Sequence, residues 1–277
     1  MKKQQTIKSQ VAIEGKGLHK GKKSKIIFSP LGVDAGIIIK NNGFEYKLDV
    51  NFVADVKRGT TLKYKKSTVH TVEHLLSAIK GLEIDNILID IEGDEPPALD
   101  GSSFEYCKVL KKAKILKQNK EKKLFKIKKP YYIKDNDRFL IVLPYDKLKI
   151  YYFSDFSKFG IAPQEFFIEV NEKNYIKEIS KARTFGFKSE LEWLYKAGLI
   201  KGADFNNAIL IDKGKPINTE LRYSDELTRH KLLDIIGDFC FLSGNLHLLI
   251  IGIKTGHKHN IEMVKQLLKN EGGKNYD

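Results

Sequence analysis

Residues 224–239 read SDELTRHKLLDIIGDF, and their spacing predicts a helix. Ser224 can cap its N-terminus, and Asp225 and Glu226 fall in the first turn, where the helix dipole favours negative charge. Leu232, Ile235, Ile236 and Phe239 recur at helical spacing and form one apolar face. His230, Asp234 and Asp238 lie one turn apart on a second, polar stripe. A solvated face would ordinarily carry lysines and glutamates there. An imidazole and two carboxylates in register suit a metal ion, because His and Asp four residues apart can reach one cation. A surface His–Asp pair would give the same stripe, so this helix by itself leaves both readings open.

At 277 residues the chain has length for one large or two modest domains. An apolar content of 42% suits an ordinary soluble protein, and no apolar run is long enough to cross a bilayer. The opening MKKQQTIKSQ carries charge with no apolar segment behind it, so no secretory signal is expected. Cys107 and Cys240 are too few for a disulfide framework and form no CxxC pair, which makes the cytoplasm the expected compartment. Forty-nine Lys and Arg against 35 Asp and Glu give a net charge of +14, which favours an anionic partner. Lysine spread along the chain without interleaved arginine and aromatics is not the pattern of a nucleic-acid reader.

Upstream, STVHTVEHLLSAIKGLEIDNILIDIEG (67–93) predicts a second helix followed by a buried strand over 86–91. Val72, Leu75, Leu76 and Ile79 make its apolar face, Ser67 or Thr68 caps it and Gly81 ends it. His70, Glu73 and His74 are expected on this helix. The glutamate directly precedes the second histidine, which excludes the metalloprotease HExxH pattern. The first sixty residues alternate short β-type runs (26–28, 37–39, 44–50) with Gly, Asn and Asp turns. Within them EGKGLHKG (14–21) misses the dinucleotide-binding GxGxxG spacing by one residue, and no long crossover helix follows. It reads as a glycine-permitted loop with an exposed His19. Ser102 and Glu105 form a capping box that opens a helix to about residue 113. The lysine-rich run 114–129 reads as a linker, and strands are expected over 139–143, 150–153, 166–170 and 208–211, with a helix over 190–196.

The two halves repeat one order. Strands come first, then a helix with a polar stripe, then a strand (NILIDIEG, 86–93; NLHLLIIGI, 245–253), then a closing amphipathic helix (SSFEYCKVLKK, 102–112; NIEMVKQLLKN, 260–270). This order implies an α+β fold of two similar domains from an internal duplication, 1–119 and 120–277. Each would be a β-sheet packed with helices, with the active site at the interface between them. If both polar helices face that interface, His74 joins His230 and Asp234. Three protein ligands leave a fourth tetrahedral position for water.

TVEHLLSAIKGLEIDN (71–86), ARTFGF (182–187), RHKLLDIIGD (229–238) and KTGH (254–257), in this order and at these separations, resemble the zinc-dependent UDP-3-O-acyl-N-acetylglucosamine deacetylases of lipid A biosynthesis. GLHKG (17–21) and LDGS (99–102) match as well, so the resemblance spans nearly the whole chain. It implies hydrolysis of the acetamide of a UDP-linked, 3-O-acylated N-acetylglucosamine, which commits that sugar to lipid A. One catalytic Zn2+ would sit on His74, His230 and Asp234. Glu73 would be the general base, His257 the protonated imidazole at the leaving amine, Asp238 its orienting partner and Thr184 an oxyanion donor. Lys231 would serve the chemistry and, with Lys254, meet the diphosphate. An inserted β-α-β segment at about 187–215 would form the acyl-chain passage, lined by Phe187, Leu191, Ile200 and Ala208, and His19 would lie nearby without ligating.

Two departures accompany the resemblance. The family commonly follows GH with a small residue, an apolar one and Asn, whereas this chain has GHKHN, so His259 stands where an apolar side chain is expected. His70 is an extra imidazole, and either histidine could take a second, inhibitory metal. The competing function is a non-catalytic binding protein for an anionic nucleotide-sugar or lipid on the same fold. The chain is expected to be a monomer with peripheral contact to an anionic membrane surface and no functional nucleic-acid partner. A fused dehydratase is not expected, because the chain ends about twenty residues after His257.

Overall fold

The structure is a computed structural model that describes residues 2–271. The first half builds a five-strand sheet and the second a sheet of the same central order joined by a sixth strand, Leu124–Lys126, which pairs with Asn245–Ile253. In the first, Val11–Lys16, Lys23–Pro30, Ile87–Glu92, Ile37–Asn41 and Phe44–Lys47 lie side by side in that order. In the second the order is Tyr131–Asp135, Arg138–Pro144, Asn245–Ile253, Leu148–Phe156 and Ile161–Glu169. Both centres have the same directions. Ile87–Glu92 runs antiparallel to Lys23–Pro30 and parallel to Ile37–Asn41, and Asn245–Ile253 does the same between Arg138–Pro144 and Leu148–Phe156. A parallel neighbour needs a crossover connection, and here the crossovers carry the two polar helices.

Among the described residues the α-helices are α1 (Glu73–Gly81), α2 (Phe104–Lys112), α3 (Glu172–Asn174, continued as a π-helical turn over Tyr175–Ile179), α4 (Leu191–Lys196), α5 (Glu226–Asp238) and α6 (His257–Glu271). The crossovers α1 and α5 pack on each other. One continuous core runs from Phe28, Ile39 and Ile89 of the first sheet through Leu76 and Ile79 of α1 and Leu232 and Ile236 of α5 to Val142, Ile150 and Ile250 of the second. Alternate residues Leu246, Leu248 and Ile250 are buried, the period of a sheet with one packed face. The helix crossing depends on glycine. A methyl group on Gly237 would lie 2.2 Å from the backbone oxygen of Glu73.

Several local expectations fail for identifiable reasons. Ser67 and Thr68 belong to a strand, Ser67–Val69, and Thr71 adopts a left-handed backbone with φ 53° before α1 begins at Glu73. His70 therefore precedes the helix and does not share a face with His74. Ser224 caps nothing, since α5 begins at Glu226 with Asp225 at its cap. The Ser102–Glu105 box does not form. Ser102 Oγ accepts from the Phe104 N–H at 3.1 Å, while Glu105 pairs with Lys108. Nor is 114–129 a free linker: Ile115–Glu121 pairs with the N-terminal strand Lys3–Ile7, and Leu124–Lys126 with Asn245–Ile253. Backbone ladders need no apolar side chains at a solvated edge, so hydrophobic periodicity does not register these strands.

Two small sheets complete the site. Val53–Asp55, Thr61–Tyr64 and Ser67–Val69 form one, and the turn over 56–60 reaches towards α1. Phe185–Phe187, Ile209–Asp212 and Lys215–Pro216 form the other, with α4 between its first two strands. Phe187, Ile209, Ile211 and Leu227 give this second unit a separate apolar cluster. No helix among the described residues is long and apolar enough to cross a membrane.

Candidate active site

α1 delivers His74, and α5 delivers His230 and Asp234; all three side chains are buried. Their ligating atoms lie within 4.8 Å of one another. His74 Nε2 is 3.9 Å and His230 Nε2 3.4 Å from Asp234 Oδ1, and the two rings meet edge to face at 4.9 Å. His230 Nδ1 is 3.1 Å from the carbonyl oxygen of Ala182. A carbonyl only accepts, so Nδ1 carries the proton and Nε2 turns a lone pair to the centre of the trio. Burial, reinforced at His74 by His230, depresses both imidazoles, His74 down to about 3. Both are neutral at pH 7, as ligands must be.

Burial opposes ionisation of Asp234, yet Lys231 and the neighbouring imidazoles outweigh it and hold the carboxyl well below its usual range. Asp234 Oδ2 accepts from the Lys231 ammonium at 2.9 Å, whereas Oδ1 is buried with no hydrogen-bond partner. A buried carboxylate oxygen without a partner is costly in a dry interior. Two imidazole nitrogens and this oxygen around one point fit a divalent metal, with a coordination position to spare.

Glu73 opens α1 beside His74 and is 2% exposed. Its Oε1 is 3.9 Å from His257 Nε2, and its Oε2 accepts from the Thr60 N–H at 2.9 Å. Burial raises its pKa to about 7, with His257 opposing the rise, so Glu73 exchanges a proton near neutrality. His257 opens α6 with Nδ1 2.8 Å from Asp238 Oδ2. Burial would lower this imidazole, but Asp238, Asp234 and Glu73 overcome it and raise the pKa to about 10. His257 is thus an imidazolium at pH 7, facing a base that can be ionised. Asp238 also accepts from Asn260 Nδ2 at 2.8 Å and from Thr60 Oγ1 at 2.6 Å.

These groups open into a cavity of about 960 Å³. Thr184, Lys231 and Lys254 stand in its wall beside the trio, Glu73 and His257, and Phe187, Leu191, Ile200 and Ala208 line the part built by the 187–215 segment. Asp238 is not in the wall and contacts His257 from behind. Thr184 is fixed by backbone bonds to Gly101 and Ile209. Lys231 is paired with Asp234 and lies 5.3 Å from the Phe185 ring. Lys254 already holds Asp137 at 2.5 Å and Asp155 at 3.4 Å, so a phosphate there must compete with two carboxylates.

His19, His70 and His259 are differently placed. His19 is 8% exposed rather than an exposed loop residue, because Glu95 accepts the N–H groups of His19 and Lys20 and folds the loop inward. Its Nε2 lies 3.2 Å from the Arg58 carbonyl, and it joins the cavity wall. His70 is tied to Thr61 at 3.1 Å and His259 is paired with Asp135 at 3.4 Å, and neither belongs to the trio.

Three features escape the sequence reading. Asn260 stands three residues after His257, a helical spacing that carries its own signal. Thr60 carries none. The fully buried Glu226 takes the Arg183 guanidinium at 2.8 and 3.0 Å and the backbone N–H groups of Arg183 and Arg222, pinning the 182–187 segment to the start of α5.

Comparison with known proteins agrees along the chain. A family described as UDP-3-O-acyl N-acetylglycosamine deacetylase matches residues 4–269. A UDP-3-O-acyl-N-acetylglucosamine deacetylase of Saccharophagus degradans is 38% identical, covering 98% of this chain and 92% of its own. That of Nautilia profundicola is also 38% identical, covering 97% and 93%, and that of Helicobacter hepaticus is 39% identical, covering 97% and 91%.

Proposed function

The chain belongs to the UDP-3-O-acyl N-acetylglycosamine deacetylase family, and we propose that it hydrolyses the acetamide of UDP-3-O-acyl-N-acetylglucosamine, releasing acetate and the free 2-amine, with zinc held by His74, His230 and Asp234. The observation that carries this reading is the unpartnered Asp234 Oδ1 set between two imidazoles, with a base on one side and an imidazolium on the other.

Zinc, when bound there, supplies a Lewis acid for the amide carbonyl and lowers the pKa of water to about 7. Glu73 takes the water's proton through Oε1 while the Thr60 N–H holds Oε2, so the accepting oxygen keeps one direction. Thr184 donates to the oxygen on which charge develops, a contribution worth on the order of 100-fold or more. His257, kept charged by Asp238, hands its Nε2 proton to the departing amine and faces the same developing charge before it leaves. Glu73, Thr60 and Asp238 are buried and Thr184 and His257 half-buried, which weakens screening of these groups by bulk water. Lys231 places a cation beside the reacting centre. With Lys254, released from Asp137 or Asp155, it meets the diphosphate. The acyl chain follows the apolar wall of Phe187, Leu191, Ile200 and Ala208.

The shared strand order supports reading 1–119 and 120–277 as copies of one unit, the second carrying 187–215 as an insertion. We place the protein in the cytoplasm as a monomer that touches an anionic membrane surface peripherally, a reading its +14 charge supports, with no nucleic acid as a functional partner.

Glu73→Ala tests the assignment. Zinc content should stay unchanged while acetate release falls by orders of magnitude. A wild-type protein that binds the nucleotide sugar, releases no acetate and is indifferent to Glu73→Ala would be a binding protein instead.

A further inference from the structure

We propose that Thr60 is a positioning residue that sets the base and the acid of this site against each other across the junction of the two halves; the proposal rests on the deacetylase reading above. Thr60 is fully buried, and three of its groups are engaged. Its carbonyl accepts from the Val72 N–H at 3.1 Å, which fixes the residue to the turn entering α1. Its own N–H goes to Glu73 Oε2 at 2.9 Å, and its hydroxyl goes to Asp238 Oδ1 at 2.6 Å. Glu73 belongs to α1 in the first half, Asp238 and His257 to α5 and α6 in the second. One residue thus holds a carboxylate from each side.

The chemistry of the hydroxyl makes the arrangement directional. It has a single proton to donate, and Asp238 takes it, although His257 Nδ1 lies 3.5 Å away. Asp238 Oδ2 is then left to His257 and Asn260, each at 2.8 Å. With both oxygens held, the Asp238 carboxylate cannot rotate, and the imidazole it carries keeps its Nε2 towards Glu73. The loop is built for this close approach. Arg58 adopts a left-handed backbone with φ 60°, and a side chain on Gly59 would crowd Glu73 Oε1 at 3.0 Å. Thr60 does not line the cavity, so its effect falls on the alignment of the reacting groups rather than on substrate contact. Displacements of about 1 Å at such groups cost on the order of 100-fold in rate.

The test compares zinc-loaded wild type with Thr60→Val, which keeps shape and backbone N–H but loses the hydroxyl, and Thr60→Ser, which restores it. We expect Thr60→Val to lower kcat about 10-fold or more with KM held within about 2-fold, and Thr60→Ser to recover most of the loss. Zinc content should be the same in all three. The low-field proton resonance of His257 Nδ1–H, present in wild type and Thr60→Ser, should shift or vanish in Thr60→Val. If Thr60→Val does not fold, Thr60→Ala removes the hydroxyl without adding a buried methyl and is read in the same way. An unchanged kcat, a Thr60→Ser variant as slow as Thr60→Val, or an unchanged resonance overturns the proposal. A wild-type protein without deacetylase activity overturns the reading beneath it instead, and the resonance still reports whether Thr60 holds Asp238.

Discussion

Gly237 of α5 meets the backbone carbonyl of Glu73 of α1 so closely that a methyl group there would lie 2.2 Å from the oxygen. The two helices that carry His74, His230 and Asp234 therefore touch backbone to backbone, one residue from His74 and three from Asp234. A glycine inside a helix costs about 1 kcal/mol relative to alanine. That cost is offset by a crossing close enough for ligands from both halves to converge on one point.

Gly237→Ala should gain helix propensity and still lose function. The atom in its way is backbone, so the helices must separate. Overpacking of this kind costs about 1–3 kcal/mol. We expect a lower unfolding midpoint and zinc affinity weakened about 10-fold or more, read by competition with a chelator, since ligand geometry follows the crossing.

Two ionisations of opposite sense should bound the active pH range. Glu73 must lose its proton to act as a base, so activity rises with pH through its ionisation, which lies at about 7 without a metal and lower beside a cation. His257 must keep its proton to act as an acid, so activity falls as pH rises through about 10. The pH profile of kcat/KM should therefore be bell-shaped. His257→Gln should lose the alkaline limb and about 100-fold or more in rate. Persistence of that limb in the variant would assign it to another group.

The Arg183–Glu226 pair gives a stability prediction independent of catalysis. Glu226 is fully buried, and Arg183 is the charge that compensates it. Arg183→Leu should cost about 3–5 kcal/mol by leaving a buried carboxylate unpaired, while Arg183→Leu with Glu226→Leu should cost much less. Urea unfolding of the single and double variants measures the difference.

How much of this is legible in the sequence depends on the range of the interaction. The His230, Asp234 and Asp238 stripe is readable because one-turn spacing is local to a helix, and the repeated element order brings His74 to it. The family resemblance supplies Thr184, Lys231 and Lys254, and the structure sets all three in one cavity wall. Thr60 is invisible because a backbone N–H and a lone hydroxyl acting over 13 and 178 residues leave no periodic trace. Ser224 fails as a cap because the first turn of α5 is organised by buried Glu226, whose partner Arg183 lies 43 residues away. His19 reads as exposed because its loop is short and glycine-rich, while Glu95, which draws it inward, is 76 residues distant. Periodicity tells which face of an element is buried, and says little about which distant group meets it.

On the proposed function, α1 and α5 together hold one zinc ion through His74, His230 and Asp234. X-ray absorption at the zinc edge of the loaded protein tests it most directly, together with metal content and acetate release in His74→Ala and Asp234→Ala. One zinc per chain is expected, with two imidazole nitrogens at about 2.0–2.1 Å and oxygen in the remaining shell, and metal and activity should be lost together in both variants. Full zinc occupancy in either variant, or a shell without two imidazoles, would contradict it.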